Sequence, residues 1–431
     1  MPEDSHSSAN QGVHESHLPW KLIAAGTAGN VMEWYDFAVY GYFAATIGDL
    51  FFPADNPTTS LIAAFGVFAA GFLMRPLGAI VFGTIGDHVA RKTALTISVF
   101  AMAIPTFIIG LLPTYAQAGV FAPIALVVLR LIQGLSVGGE FTTSIVFLVE
   151  SSGRRHRGFA GSWSGFGATA GILLGSGVGA IITSVLSDEA VHTWGWRLPF
   201  LLGIGVGVAG LFARRHLPEP PAPPKNEQVH ASLFVTFREH WQTILHIAFC
   251  CVASGVGYYV VFVYLVTYMQ QVGGLSEAKA LGINTLNMAL VLTMLPVAGW
   301  LSDRIGRKPL LLCAAAGMIL FSWPLLWLVH HHSVRCNFFG QLGFTVLIAM
   351  MSVVPVMMVE ASPRAVRCTV IALGYNLAVG LLGGTAPMMA TWLISRTGND
   401  LSPAFYMMGM ATLSLIAILR LGETRHSELF A

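Results

Sequence analysis

The sequence predicts an all-α polytopic membrane protein, with twelve transmembrane helices arranged as two six-helix bundles. Three observations lead there. The chain of 431 residues is 55% hydrophobic and only 10% charged, with a mean hydropathy of +0.69, whereas soluble domains carry about a quarter charged residues. Apolar runs of about 20 residues, the length that crosses a bilayer, recur twelve times. A polar, Pro-rich stretch from Pro218 to Lys225 divides them six and six.

In order, the expected spans are 22–51, 59–82, 93–113, 120–149, 158–186, 197–216, 243–269, 280–301, 309–330, 338–359, 369–395 and 403–421. They give a disordered tail (1–19), an N-terminal bundle (20–216), a linker (217–240), a C-terminal bundle (241–422) and a short tail (423–431). Residues 1–19 are polar, His- and Ser-rich and acidic, unlike the basic start of a cleavable signal peptide. The connections alternate in charge. Arg91-Lys92, Arg154-Arg155, Arg214-Arg215, Arg307-Lys308 and Arg364 with Arg367 fall on one side, against Arg197, Lys279, Arg335 and Arg396 on the other. Positive charge stays inside, so both termini and the linker are expected in the cytoplasm.

The first span carries the strongest functional signal. Asn30, Glu33, Trp34, Tyr35, Asp36, Phe37 and Tyr40 interrupt an apolar run. A charge at the bilayer centre costs at least about 2.5–3.5 kcal/mol, so such residues face a partner or a cavity. In a helix Asn30, Glu33, Phe37 and Tyr40 share a face, with Asp36 beside Glu33. The fourth span places Arg130 in an equally apolar stretch, three residues before Gln133. Arginine stays charged there and needs an acceptor.

Two motifs recur between the halves. Gly83, Asp87 and Arg91 after the second span return as Gly299, Asp303 and Arg307 after the eighth. Glu150 with Arg157 after the fourth returns as Glu360 with Arg367 after the tenth. Glycine permits close helix approach, and the aspartate can sit at a neighbouring helix N-terminus or pair with arginine. These residues are expected to form a charged latch that closes the cytoplasmic side. The repeats themselves fit a transporter built from parallel halves.

On these residues the chain resembles the major facilitator superfamily, and within it the metabolite:proton symporters, which include proline/betaine, citrate, alpha-ketoglutarate and shikimate transporters. The resemblance spans nearly the whole chain. It rests on Asn30 through Gly41, Phe72 to Gly78 with Arg75-Pro76, the paired loop motifs, Gln133-Gly134 with Gly138-Gly139-Glu140, Gly161 to Trp163, and Trp194 to Phe200. It implies import of a small organic zwitterion or organic acid by alternating access, with protons as the coupling ion. It also implies a bacterial inner membrane, a monomer in the lipid bilayer and no cofactor. A proton-independent facilitator or a transporter-like sensor is the alternative.

The Tyr35-Asp36 position resembles the tyrosine–aspartate pair of proton-coupled sugar porters, whose aspartate faces an arginine on the fourth helix. Asp36 is therefore the expected proton carrier and Arg130 its partner. Glu33 is the second candidate carrier, and Glu140 is either a further site or a packing group. The family's substrate site lies between the halves near the midplane. The candidates there are Asn30, Trp34, Tyr40, Gln133, Trp163, Tyr258, Tyr259, Asn284, Asn287, Tyr375 and Asn376. Aromatics suit a quaternary ammonium, and a carboxylate would want Arg130 or Arg75.

Two departures from the family pattern stand out. His88 and Ala90 replace a basic residue and Gly in the first loop motif, and the chain ends about ten residues after its last span. Osmotic activation through a long C-terminal helix is thus not expected. The Gly-rich fifth span lacks the Gly-Pro motif of drug antiporters. No nucleophile elbow, phosphate loop or HExxH argues for an enzyme. The five Cys show no metal or disulfide spacing, His330 to His332 read as a solvated external turn, and a net charge of +2 gives no reason to expect nucleic acid.

Overall fold

A bilayer core offers the backbone no water, so apolar runs of this length satisfy their N–H and C=O groups as helices. A computed structural model describes residues 20–78, 81, 91–137, 140–215, 233–427 and 429, and they form helices in the expected order. α1 is Trp20–Tyr42, continued past a break at Phe43 by Ala44–Phe51. α2 is Pro57–Gly78, α3 Arg91–Leu111, α4 Phe121–Ser136 with Glu140–Glu150, α5 Arg157–Val185 and α6 Arg197–Arg215. The second half holds α7 (Val235–Gln271), α8 (Glu277–Ile305), α9 (Arg307–Val329), α10 (Val334–Ala361), α11 (Arg367–Thr397) and α12 (Ser402–Arg420). Among the described residues, nine helices are long and apolar enough to cross a membrane, and α3 and α6 add the shorter apolar stretches Ile97–Leu111 and Arg197–Ala209. In α1 the buried Asn30, Glu33 and Asp36 dilute the hydropathy.

Helix begins within the segment 217–240. The α7 helix extends back to Leu233 and bends at His240 (φ −118, ψ 18), while residues 216–232 lie outside the described residues. Both α7 and α11 also widen into π-helical turns, Val260–Tyr264 and Asn376–Gly383. Such turns re-aim side chains and are frequent at functional sites. Here they immediately follow Tyr259 and Tyr375.

Within the first half α1 packs on α5 and α6, α3 on α4 and α6, and α2 on α4. Within the second, α7 packs on α11 and α12, α9 on α10 and α12, and α8 on α10. The halves meet chiefly where α5 runs along α8 and where α2 meets α11. Two glycines set critical geometry. A Cβ on Gly134 would lie 2.0 Å from the Gly71 carbonyl oxygen, so α2 and α4 touch backbone to backbone. That contact fixes Arg75 and Arg130, each one turn away. Gly306, at φ +104, turns the chain sharply from α8 into α9 in a conformation open to glycine. The turn brings Asp303 and Arg307 together.

Candidate functional site

The buried carboxylate of Asp36 is 2% exposed and Arg130 0% exposed. Arg130 Nη1 donates to Asp36 Oδ2 at 2.8 Å, and Gln133 Nε2 donates to Oδ1 at 2.8 Å. The Thr106 hydroxyl, on α3, lies 2.7 Å from Oδ1 and 2.7 Å from the Met102 carbonyl. Gln133 also accepts from Arg130 at 2.9 Å, closing the network. The Arg130 guanidinium sits 4.1 Å above the Tyr40 ring and 5.0 Å from that of Phe37. The carboxyl and the guanidinium tolerate this burial because each is paired and further hydrogen-bonded. On its other side Asp36 borders a small cavity lined by Tyr35, Met102, Ala103, Thr106, Gly203 and Gly207.

One turn earlier on α1, Glu33 faces Arg75 of α2, with Nη2 3.6 Å from Oε1. The Arg75 guanidinium is boxed by Phe72, Phe37 and Trp34 at 4.3, 4.9 and 5.0 Å. Rings from the second half complete this cluster. Tyr259 stacks on Trp34 at 6.3 Å and meets Phe72 edge-on at 5.0 Å, and Tyr375 lies 5.1 Å from Phe141.

The halves are joined on both sides of the aromatic cluster. Toward the end of α1, Asn284 of α8 donates to Tyr42 and Ser176 at 3.0 and 3.1 Å. Ser176 meets Thr285 at 2.8 Å, and Tyr258 meets Thr169 at 3.1 Å. On the face bearing the Arg- and Lys-rich connections, Asp303 caps α5 by accepting from the Gly158 and Phe159 N–H groups, both at 2.8 Å. Arg307 is fully buried. It donates to Asp303 at 2.8 Å and, with Nε and Nη2, to both oxygens of Glu360 at 3.2 and 3.0 Å. Arg367 of α11 pairs with Glu150 of α4, crossing between the halves.

The C-terminal segment packs over this face. Arg157 donates to the Ser427 carbonyl at 2.8 Å, Arg367 to that of Leu429 at 3.2 Å, and Thr424 to Glu360 at 2.8 Å. Partial burial pushes the Glu423 carboxyl up, but the N–H groups of Arg307, Arg425 and Lys308 hold it below the usual carboxylate range.

Residues 27–383 match the Major Facilitator Superfamily. The chain belongs to that superfamily. It is 37% identical, over 95% of its length and 84% of the relative's, to a glycine betaine/proline/ectoine/pipecolic acid transporter of Dickeya dadantii. It is 35% identical, with the same coverages, to the proline/betaine transporter of Escherichia coli K12. Among solved structures it is similar to a proton:xylose symporter bound to 6-bromo-6-deoxy-D-glucose (TM-score 0.75, 19% identity, 96% of this chain and 98% of that one). It also resembles an inward-open xylose transporter from E. coli (TM-score 0.71, 19% identity, 95% and 98%). Its relatives and family are transporters rather than enzymes.

The transporter brings Asp36 and Arg130 together as the sequence predicts, and it gathers Trp34, Tyr259 and Tyr375 in one aromatic cluster with Phe141. Other candidates fall elsewhere. Gln133 is bound into the Asp36 network. Tyr40 carries Arg130 and donates to the Ala64 carbonyl at 3.1 Å. Asn30 ties α1 to Ser144 and to the Ser164 carbonyl within the first half. Trp163 packs beside Phe159 and Phe166 on α5. Asn287 bonds within the second half, to Ile283 and Gln341, and Asn376 is buried at the head of its π-helical turn. Glu140 begins a helix, but its side chain, that of Arg91, and residues Gly83, Asp87, His88 and Ala90 lie outside the described residues.

Thr106, Gln341 and the C-terminal contacts are the residues sequence reasoning missed. Arg307→Lys tests the Asp303–Arg307–Glu360 cluster energetically, because an ammonium cannot span Glu360 bidentately while also reaching Asp303. Its unfolding transition in detergent is expected to fall by several degrees, an effect of about 2–4 kcal/mol.

Proposed function

We propose that this transporter is a proton-coupled symporter that imports a small zwitterion of the betaine or proline kind, with Asp36 as proton carrier. The observation that carries the reading is the fully buried Asp36–Arg130 pair, held by Gln133 and Thr106 and bordered by a cavity. A carboxylate that gains and loses a cationic partner changes its proton affinity with conformation, which is what coupling requires. Protonation of Asp36 cancels the attraction to Arg130 and loosens α1 from α4. The names of relatives more than a third identical point to betaine and proline.

The Arg- and Lys-rich face is assigned to the cytoplasm by the positive-inside rule, with both termini there and the protein in the bacterial inner membrane. Residues 20–216 and 241–422 act as the two bodies that rock about the central cluster. Their joints above and below that cluster correspond to an occluded state. Asp303 on the α5 N-terminus, Arg307–Glu360 and Arg367–Glu150 serve as the cytoplasmic gate.

The test is uptake of labelled glycine betaine, proline, citrate, alpha-ketoglutarate and shikimate into proteoliposomes under an imposed proton gradient. Concentrative uptake of betaine or proline, abolished by a protonophore, is expected. Uptake confined to the organic acids, or indifferent to the gradient, contradicts the proposal.

A further inference from the structure

Hydrogens decide what the Asp36 network can do, and donor chemistry assigns nearly all of them. Arginine only donates, so the Gln133 atom 2.9 Å from Arg130 Nη1 is the amide oxygen, and Nε2 faces Asp36. The two hydrogens of Nε2 go to Asp36 Oδ1 at 2.8 Å and to Thr106 Oγ1 at 2.9 Å. Those of Arg130 Nη1 go to Asp36 Oδ2 and to Gln133. The Thr106 hydroxyl is different. It has a single hydrogen and two acceptors, Asp36 Oδ1 and the Met102 carbonyl, both at 2.7 Å. α6 fixes the rest of that side chain, because a Cβ on Gly203 would lie 2.6 Å from the Thr106 methyl carbon. With the helix packed against the methyl, only the hydroxyl hydrogen is left to turn.

We propose that Thr106 is the proton relay of Asp36, its hydroxyl turning between the carboxylate and the Met102 carbonyl as the proton comes and goes. While Asp36 is charged, the hydrogen points at Oδ1, the charge-assisted and stronger acceptor. Once Asp36 is neutral, its own O–H needs an acceptor. Of the three side chains that bond it, Arg130 and the Gln133 amide nitrogen present only hydrogens, and Thr106 Oγ1 alone can accept. Oδ1–H then donates to Oγ1, and the hydroxyl hydrogen swings to Met102. Each donor in the ring has an acceptor in both states, as a buried site requires.

The cavity beside Asp36 supplies the approach. It lies between α1, α3 and α6, measures about 10 Å³, close to the space of one water, and is lined by both Thr106 and Asp36. The Tyr35 phenol in the lining gives its hydrogen to the Pro199 carbonyl at 2.8 Å, and the lining residues from α3 and α6 carry no ionisable group. From α4 the charge facing the carboxyl is Arg130. A hydronium ion at the cavity gives its proton to Oγ1 while the hydroxyl's hydrogen passes to Oδ1. One O–H bond forms and one breaks at threonine, one forms at aspartate, and release runs in reverse.

This inference rests on proton symport through Asp36 but can fail separately from it. In proteoliposomes, net uptake of labelled glycine betaine under an inward proton gradient requires Asp36 to gain and lose its proton in every cycle. Counterflow against unlabelled betaine at acid pH does not require the loss, so the ratio of the two isolates proton transfer. Thr106→Val keeps the shape and removes the hydroxyl, and its ratio is expected to fall by about tenfold, a barrier change of about 1.4 kcal/mol. Thr106→Ser keeps the hydroxyl and is expected to hold the wild-type ratio.

A side chain needed only for packing gives the opposite order, with valine tolerated and serine impaired. That order, or an equal loss of both activities in Thr106→Val, overturns the relay. Should the valine variant not fold, Thr106→Ser against Thr106→Ala makes the same comparison without the methyl, and equal ratios overturn it. A wild type that accumulates no solute under the gradient removes the proton reading itself, whereas normal coupling in Thr106→Val removes only the relay.

Discussion

Asp36→Asn is expected to abolish gradient-driven accumulation while downhill exchange of the same solute persists. Asparagine keeps the shape of the side chain but cannot carry a proton. It also turns an amide group toward Arg130, Gln133 and Thr106, which all donate to the carboxylate in the native protein. Arg130 is then a buried cation with no counter-charge, a change that costs about 3–5 kcal/mol, so the variant should also unfold at lower temperature. Counterflow of labelled betaine against unlabelled betaine separates the two effects. Exchange near the wild-type rate with an accumulation ratio of one is the expected pair of results. Accumulation retained by the variant transfers the carrier role to Glu33 or Glu140.

Substituting leucine at Gly158 or Gly299 should force the proposed cytoplasmic side open. At that crossing of α5 and α8, a Cβ on Gly158 would lie 2.4 Å from the Gly299 carbonyl oxygen and 2.8 Å from Asp303 Oδ1. One on Gly299 would lie 2.5 Å from the Gly158 oxygen. Backbone cannot yield as a flexible side chain can, so the helices must separate, and Asp303 must leave the α5 N-terminus. Neither glycine is near Asp36, so proton binding itself is untouched. Transport is expected to fall by about tenfold or more, a barrier change of about 1.4 kcal/mol. Distances between spin labels on α5 and α8 should lengthen by several ångströms on that face. Unchanged distances with normal transport would show that the crossing does not gate.

Charge at membrane depth made the Asp36–Arg130 pair legible in the sequence. Asp36 and Arg130 could not be left unpaired in apolar runs, and each was the other's most economical partner. The same logic placed Asp303 at a helix N-terminus and beside an arginine, and the structure uses both contacts. The Glu33–Arg75 pair was harder to foresee. Arg75 precedes a proline and reads equally well as a structural residue, and only the Gly71–Gly134 crossing brings it over α1.

Gln133, three residues after Arg130, looked like a ligand contact because sequence cannot say which neighbour claims an amide. Thr106 gives no signal at all, since a lone threonine in an apolar helix ordinarily bonds its own preceding turn, as this one also does. The C-terminal contacts were invisible for a related reason. Arg157 and Arg367 reach main-chain carbonyls there, which any sequence would present. The π-helical turns after Tyr259 and Tyr375 touch α1 and α2 of the first half, and they leave no local pattern in the chain.

Proton movement driven by solute alone tests the central claim most directly. Proteoliposomes hold a trapped pH indicator, equal pH on both sides and a membrane potential clamped at zero. Glycine betaine added outside should acidify the lumen in step with its entry, with no acidification for Asp36→Asn. Betaine entry by the wild type without any change in lumenal pH would contradict proton symport through Asp36.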